Sequence, residues 1–329
     1  VPDPGRKRLL FIKSRRASFI ELDQELLAER YAVTAIYQPG RFANPLNTLR
    51  AVRSADVIVG WWASWHTFLP FTLGWLLRKP SLLIVGGFDT AAEPEYGYGF
   101  QLGGPRKHLS RFTMRRARVL MTNSEYSRAE VERNCGIPAN RVTLVYHGIP
   151  DQAPPASPKQ QLALTVGILD TTNLERKGLR SFAQAAKLLP EVEFVLAGKI
   201  AGDAGEQLAA TAPGNLRITG WVSDEELQKL FARAGVYVQA SKHEGFGVSV
   251  AEAMLARCVP VVTSAGALRE VVGDTGVILP GPEPETVAQG IREALTRTPS
   301  DAARARVLEH FSVEQRRDGL HRLIDSLLS

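Results

Sequence analysis

Short apolar runs recur along the chain, separated by stretches of helical periodicity. In the first half the runs fall at 8–12, 32–36, 57–59, 81–85, 119–122 and 141–145. Helical patterns lie between them, at 21–29, 46–53 and 127–134 among others. The alternation restarts in the second half, with runs at 162–166, 193–196, 216–219, 236–239, 259–262 and 276–279. Helices are predicted there at 178–188, 224–234, 248–256, 267–272 and 285–297, and Ser223 with Glu226 forms a capping-box pattern at one start. Apolar runs alternating with helices predict βαβ units and parallel sheets. The predicted fold class is α/β, with two doubly wound domains facing a cleft and ligands outside the carboxyl ends of the strands.

The break between the halves holds Pro150, Pro154, Pro155 and Pro158 among small polar residues, a linker composition. The domains are therefore expected at 1–150 and 159–329, with 151–158 between them. One segment competes with this scheme. Residues 57–77 contain no Asp, Glu, Lys or Arg and are long enough to span a bilayer. Gly60, His66, Pro70 and Gly74 interrupt the run, so a buried strand followed by a core helix is expected instead.

Composition adds little until charge is considered. The chain has 329 residues, 44% hydrophobic and 22% charged, ordinary for a globular protein. Cys135 and Cys258 are far apart and lack metal-ligand spacing, which suggests a reducing compartment and no disulfide framework. The basic start leads into only a short apolar run, so no secretory leader is read. Cytoplasmic localisation is expected. Residues 1–150 hold 21 Lys and Arg against 12 Asp and Glu, whereas residues 151–329 hold 19 against 22. Arg106, Lys107, Arg111, Arg115, Arg116 and Arg118 form a basic run with no acid and with Leu109, Phe112 and Met114 interleaved. Two readings stay open: a solvated helix face, or peripheral contact with anionic lipid at the inner membrane face. Nucleic acid is not expected as a partner, because the run lacks a reader motif.

The chemistry concentrates in residues 241–253, Ser-Lys-His-Glu-Gly-Phe-Gly-Val-Ser-Val-Ala-Glu-Ala. The segment follows a predicted strand and runs into a predicted helix. Gly245 and Gly247 allow a tight turn and close backbone approach. The free N–H groups of the helix start suit a diphosphate. Carboxylates are poor phosphate ligands but good acceptors for sugar and ribose hydroxyls, which gives Glu244 and Glu252 a use there. Arg176 and Lys177 lie in a predicted loop beyond Gly167 and can balance charge on a departing diphosphate.

Glu244-Gly245-Phe246-Gly247 followed by Glu252 resembles the signature of the group 1 (family 4) retaining glycosyltransferases of the GT-B fold. Asn123-Ser124-Glu125, Tyr146-His147-Gly148-Ile149, Arg176-Lys177-Gly178, Leu196-Ala197-Gly198-Lys199 and Thr219-Gly220-Trp221-Val222 resemble further family motifs in order. The resemblance covers most of residues 120–329 and is loose before them. It implies two Rossmann-like domains with a C-terminal helix crossing back to the first. It also implies transfer of a hexosyl group, with retention and without a metal, from a UDP- or GDP-sugar to a glycan, lipid-linked or small-molecule acceptor. No cofactor is expected. Glu244 would contact the donor sugar and Glu252 the ribose. Phe246, Gly247 and Val248 would present backbone amides, Arg176 and Lys177 would face the diphosphate, and Gly167, Gly198 and Val222 would complete the donor site.

The chain also departs from the pattern. Ile168 stands where the family often has Arg, and Lys13-Ser14-Arg15-Arg16 replaces its usual glycine-rich loop. For Arg15 and Arg16 three readings stay open: binding an anionic acceptor, binding the diphosphate, or standing as exposed basic residues. Asp89 stands near the place of a family His; it is expected either to orient sugar or acceptor or to cap its own loop. Two other functions fit the same scaffold, a nucleotide-sugar epimerase or phosphorylase and a non-catalytic nucleotide-sugar-binding subunit. Donor conversion without acceptor, or binding without turnover, separates them.

Overall fold

The computed structural model describes residues 5–40, 44–153, 158–297 and 301–329. Every predicted apolar run becomes a strand. The first six are β1 (Arg8–Lys13), β2 (Ala32–Tyr37), β3 (Val57–Trp61), β4 (Ser81–Ile84), β5 (Val119–Thr122) and β6 (Val142–Leu144). The second six are β7 (Gln160–Val166), β8 (Glu193–Ala197), β9 (Leu216–Gly220), β10 (Ala234–Gln239), β11 (Val259–Thr263) and β12 (Val277–Leu279). They form two six-stranded sheets, ordered β2-β1-β3-β4-β5-β6 and β12-β11-β10-β7-β8-β9. Neighbouring strands run parallel, as in β1 with β3 and β7 with β10. Parallel strands covered on both faces read as continuous apolar runs, and β3 and β4 are buried at every position. The edge strand β2 has no fully buried residue.

The chain divides into two compact units, Val1–Gly148 with Val313–Ser329, and Ile149–Ser312. The second unit thus stops short of the 329 expected for it, and the last helix, Val313–Leu328, belongs to the first. Apolar burial explains the return: Leu320 and Ile324 are inaccessible and join Leu9, Phe11, Val57 and Val59 in one core. Arg316 on that helix is also buried, and its guanidinium donates twice to Asp23, at 2.8 and 2.6 Å. It also donates to the carbonyl of Val145 at 2.7 Å, while Trp61 Nε1 donates to Asp23 at 3.0 Å. A buried ion pair persists only when its remaining hydrogen-bonding capacity is met, and here it is. Of the expected linker, residues 154–157 lie outside the described residues.

The uncharged segment 57–77 folds as β3 and the helix Trp65–Leu76, with Gly60, His66, Pro70 and Gly74 inside the first unit. Among the described residues no helix is long and apolar enough to cross a membrane. The capping box at Ser223 forms as expected: Glu226 N–H donates to Ser223 Oγ at 3.2 Å, and Ser223 N–H to Glu226 at 2.9 Å.

Candidate functional site

Winding direction reverses within each sheet, and the crevice at such a reversal is where doubly wound folds bind ligands. In the second unit the reversal falls between β7 and β10. The chain leaves β7 through Gly167 into the helix Thr171–Arg176. It leaves β10 through residues 240–247 into the helix Val248–Leu255. Both motif segments therefore start from the same crevice edge.

Glu244 occupies this loop, and its carboxylate is largely enclosed. Lys177 Nζ lies 3.5 Å from Glu244 Oε2, and Gln239 Nε2 donates to the same oxygen at 2.8 Å. Burial alone would raise the pKa of this carboxyl. The Lys177 charge, followed by that of Arg176, outweighs burial and holds it below its usual value. The result is a carboxylate kept ionised with one oxygen engaged, beside a lysine that retains partial solvent access.

Close backbone contacts fix the loop. Ala267 N–H donates to the Glu244 carbonyl at 3.0 Å. Gly266 permits this approach: its φ is +63°, and a Cβ there would lie 2.1 Å from that carbonyl oxygen. Gly178 plays the same part beside Lys177, where a Cβ would lie 2.1 Å from the Ala240 oxygen. Thr263 Oγ1 donates to the Ser241 carbonyl.

Arg176 departs from its expected place. It ends a helix rather than lying in a loop, and it is 7% exposed. Its guanidinium donates to the His243 carbonyl at 3.0 Å and to Asn173 Oδ1 at 2.7 Å. Its N–H groups thus brace the loop that carries Glu244, and its positive charge helps to keep Glu244 ionised. Lys177 is the cation at the crevice, with its Cδ beside the space that Gly167 leaves open.

Gly247 starts the helix Val248–Leu255, whose first turn has no side-chain cap. Glu252 follows one turn later and is partly buried. Burial first, then the charge of Asp224, pushes its pKa up to about 7. Glu252 and Glu244 both act electrostatically on the buried Tyr237 hydroxyl, whose pKa is raised by burial first and then by these two acids. Phe246 is buried and stacks edge-on against Phe311, with centroids 5.3 Å apart, so its ring serves packing. Gly167 and Gly198 lie at the ends of β7 and β8, and Val222 precedes the capped helix Asp224–Arg233. Gln239 and Gly266 are contributors that the sequence reading missed.

In the first unit the reversal falls between β1 and β3. Arg15 follows β1 and Trp62 follows β3; the guanidinium lies 4.3 Å from the centre of the indole. Arg16 lies 5.8 Å over Tyr37. Both arginines are exposed. Asp89 is 1% exposed, and its two oxygens accept from Ala63 N–H at 2.9 Å and Gly86 N–H at 3.0 Å. Burial pushes its pKa up to about 7, the backbone donors restrain the rise, and Glu130 adds to it. Of the two expectations for Asp89, loop tying matches this geometry: the carboxylate joins the loops after β3 and β4. A sugar-facing role does not match a carboxylate enclosed in this way.

Residues 23–153 match the family model Glycosyltransferase Family 4, and residues 160–297 match Glycosyl transferases group 1. The chain belongs to the group 1 (family 4) glycosyltransferases. It is 32% identical over 197 residues to O-antigen chain mannosyltransferase B of Escherichia coli, covering 54% of this chain and 52% of that protein. It is 33% identical over 129 residues to GDP-mannose:cellobiosyl-diphosphopolyprenol alpha-mannosyltransferase of Komagataeibacter xylinus, covering 35% of this chain and 32% of that protein. The chain thus spans about half the length of the first relative and a third of the second. Among solved structures it resembles Anabaena HepE in complex with UDP and glucose, with a TM-score of 0.77 and 17% identity over 97% of this chain and 100% of that one. That likeness establishes the GT-B fold of this glycosyltransferase.

Proposed function

We propose that this glycosyltransferase moves a hexosyl group from a nucleotide diphosphate sugar to a glycan or lipid-linked acceptor, with retention at the anomeric carbon. GDP-mannose is the first donor to test, because both relatives are named mannosyltransferases and one name includes that donor. The observation that carries the reading is the ionised Glu244 beside Lys177 at the strand reversal of the second unit. Glu244 accepts from sugar hydroxyls. Lys177 and the uncapped helix start at Val248 stabilise the diphosphate as the bond from C1 to its oxygen breaks. The acceptor oxygen bonds to C1 on the same face, and its proton passes to the departing phosphate oxygen. Fixed positive charge at the leaving group supplies what a metal ion would otherwise provide, so the reading needs none. Glu252 holds the ribose, and Gly167, Gly198 and Val222 border the nucleotide. We place the reaction in the cytoplasm, at the inner face of the membrane where a lipid-linked acceptor would be met.

The test is nucleotide release from a panel of GDP-, UDP- and ADP-sugars, with and without acceptor extracts. Acceptor-stimulated release of GDP from GDP-mannose, with the sugar found in a product of retained configuration, is the expected result. Conversion of donor without acceptor would replace this reading with an epimerase. Binding without any turnover would replace it with a non-catalytic subunit.

A further inference from the structure

Three buried polar side chains, Tyr237, Gln239 and Ser241, stand behind Glu244. Side chains alternate along a strand, so Tyr237 and Gln239 share one face of β10, while Val236 and Val238 enter the apolar core on the other. The Tyr237 hydroxyl donates to Gln239 Oε1 at 3.2 Å. The amide nitrogen of Gln239 donates to Ser241 Oγ at 2.9 Å and to Glu244 Oε2 at 2.8 Å. These partners fix the sense of the amide, because a rotated amide would turn its carbonyl oxygen toward the carboxylate. Burial raises the pKa of Tyr237, so the phenol keeps the proton it donates.

The two groups that touch Glu244 Oε2 differ in how firmly they are held. Lys177 Nζ stands 3.5 Å away, at the outer limit of a hydrogen bond, on a side chain with partial solvent access. A bound diphosphate competes for this lysine. It also brings negative charge to the crevice, which favours protonation of a nearby carboxyl. Gln239 is buried, uncharged and tied at both ends of its amide, so a diphosphate does not draw it away. The other groups facing Glu244 are Arg176 from the helix Thr171–Arg176, His243 on its own loop and Tyr237 of β10. Arg176 is already engaged by the His243 carbonyl and Asn173. Both close contacts fall on Oε2, which leaves Oε1 for a ligand hydroxyl.

We propose that Gln239, oriented by Tyr237, is a positioning residue: it holds Glu244 Oε2 when Lys177 turns to the diphosphate, and so keeps Oε1 presented to a hydroxyl of the donor sugar. The same contact favours the ionised acid, because an N–H donor bonds a carboxylate more strongly than a carboxylic acid. The proposal rests on the donor reading of Glu244 and Lys177.

The test compares variants in nucleotide release from GDP-, UDP- and ADP-sugars, and in calorimetric binding of each sugar nucleotide against its nucleoside diphosphate. Gln239→Met, a substitution close in volume, should lower kcat by about tenfold. The acid limb of kcat should move up by about one pH unit. That of kcat/KM should move less, because it reports the free enzyme, in which Lys177 still faces Glu244. The variant should bind sugar nucleotide more weakly and the nucleoside diphosphate as tightly as before. Tyr237→Phe removes only the hydroxyl that orients the amide. It should change the same quantities in the same direction by less, and it carries the test if Gln239→Met folds poorly. Equal weakening of sugar nucleotide and nucleoside diphosphate, or a lower kcat with both acid limbs unmoved, would mark a structural role and overturn the proposal. Unaltered kinetics and binding in both variants would overturn it too. If Glu244→Ala and Lys177→Ala lose turnover in that case, the donor reading stands and this proposal alone fails. Normal turnover in Glu244→Ala and Lys177→Ala would remove both.

Discussion

The two units apply the same winding rule and fill their strand reversals with different chemistry. In the second unit a carboxylate, a lysine and a glutamine meet within hydrogen-bond or ion-pair distance on backbone held by close glycine contacts. In the first, an exposed arginine rests on an indole, and the nearby carboxylate of Asp89 is enclosed between two loops. A pre-ordered polar cluster can favour a transition state, because its groups need not reorganise as charge moves. An exposed cation on an aromatic face is adaptable and suits recognition of a variable partner. On this comparison, substitutions at the second reversal should act on turnover. Those at the first should act on stability or acceptor use.

The largest expected effect is at the Glu244–Lys177 pair. Glu244→Ala and Lys177→Ala should each reduce turnover by at least tenfold, with about a hundredfold expected, or ~2.7 kcal/mol. The two should be strongly non-additive, because each group orients the other. Lys177→Ala should also shift the acid limb of the pH–rate profile upward. Without the lysine, burial is opposed by less positive charge, so Glu244 becomes protonated at higher pH. Near-normal rates in both variants would remove the functional contrast between the units.

Asp89→Asn tests the other side of the comparison. An amide cannot accept from two backbone N–H groups with two oxygens, so one donor is left facing an NH₂. The cost should be about 1–3 kcal/mol of stability, with turnover per folded molecule little changed. The pH dependence gives an independent reading. Folded Asp89, with its pKa near 7, keeps its proton at pH values where the unfolded carboxyl has already lost it. Its contribution is therefore fullest below the unfolded value of about 4 and declines as pH rises through 7. Thermal unfolding across that window should show a shallower decline in the variant. A large loss of turnover without loss of stability would return Asp89 to the reaction.

Legibility in the sequence divided along similar lines. Strands were legible because both sheets are parallel, and inner strands such as β3 and β4, covered on both faces, read as apolar runs. The helices Thr171–Arg176 and Gly202–Ala210 were not, since one is short and the other is rich in Gly and Ala with little periodic contrast. The return of Val313–Leu328 to the first unit was implied by family resemblance alone; nothing local marks which core Leu320 and Ile324 enter. Within the site, Glu244 and Lys177 stood in recognisable strings. Gln239 lies at the end of an apolar strand and Gly266 in a turn far along the chain, so their roles depend on tertiary contact. Arg176 shows the converse: its motif was legible, but its use in bracing the His243 carbonyl required coordinates.

A smaller effect is expected at Glu252. Its carboxyl, raised to about 7 by burial and Asp224, changes charge within the working pH range. If the carboxylate form holds the ribose hydroxyls, donor KM should rise as pH falls below about 7, by up to tenfold per pH unit at the limit. Glu252→Gln should bind donor more weakly and remove that dependence. An unchanged pH profile in the variant would separate Glu252 from the nucleotide.

The smallest expected effect is at Arg15, and it bears most directly on the contrast between the two reversals. Its contact with Trp62 is an exposed cation–π pair, for which about 0.5–1 kcal/mol is typical. Arg15→Ala should therefore lower the unfolding free energy by no more than about 1 kcal/mol. Donor hydrolysis without acceptor should be unchanged, because no group of the Glu244 cluster is altered. Acceptor KM should rise if the first reversal recognises an anionic acceptor, whereas Arg15→Lys should restore part of the loss through charge alone. A rise in donor KM with acceptor KM unchanged would assign Arg15 to the diphosphate instead, and the division of labour between the two reversals would then fail.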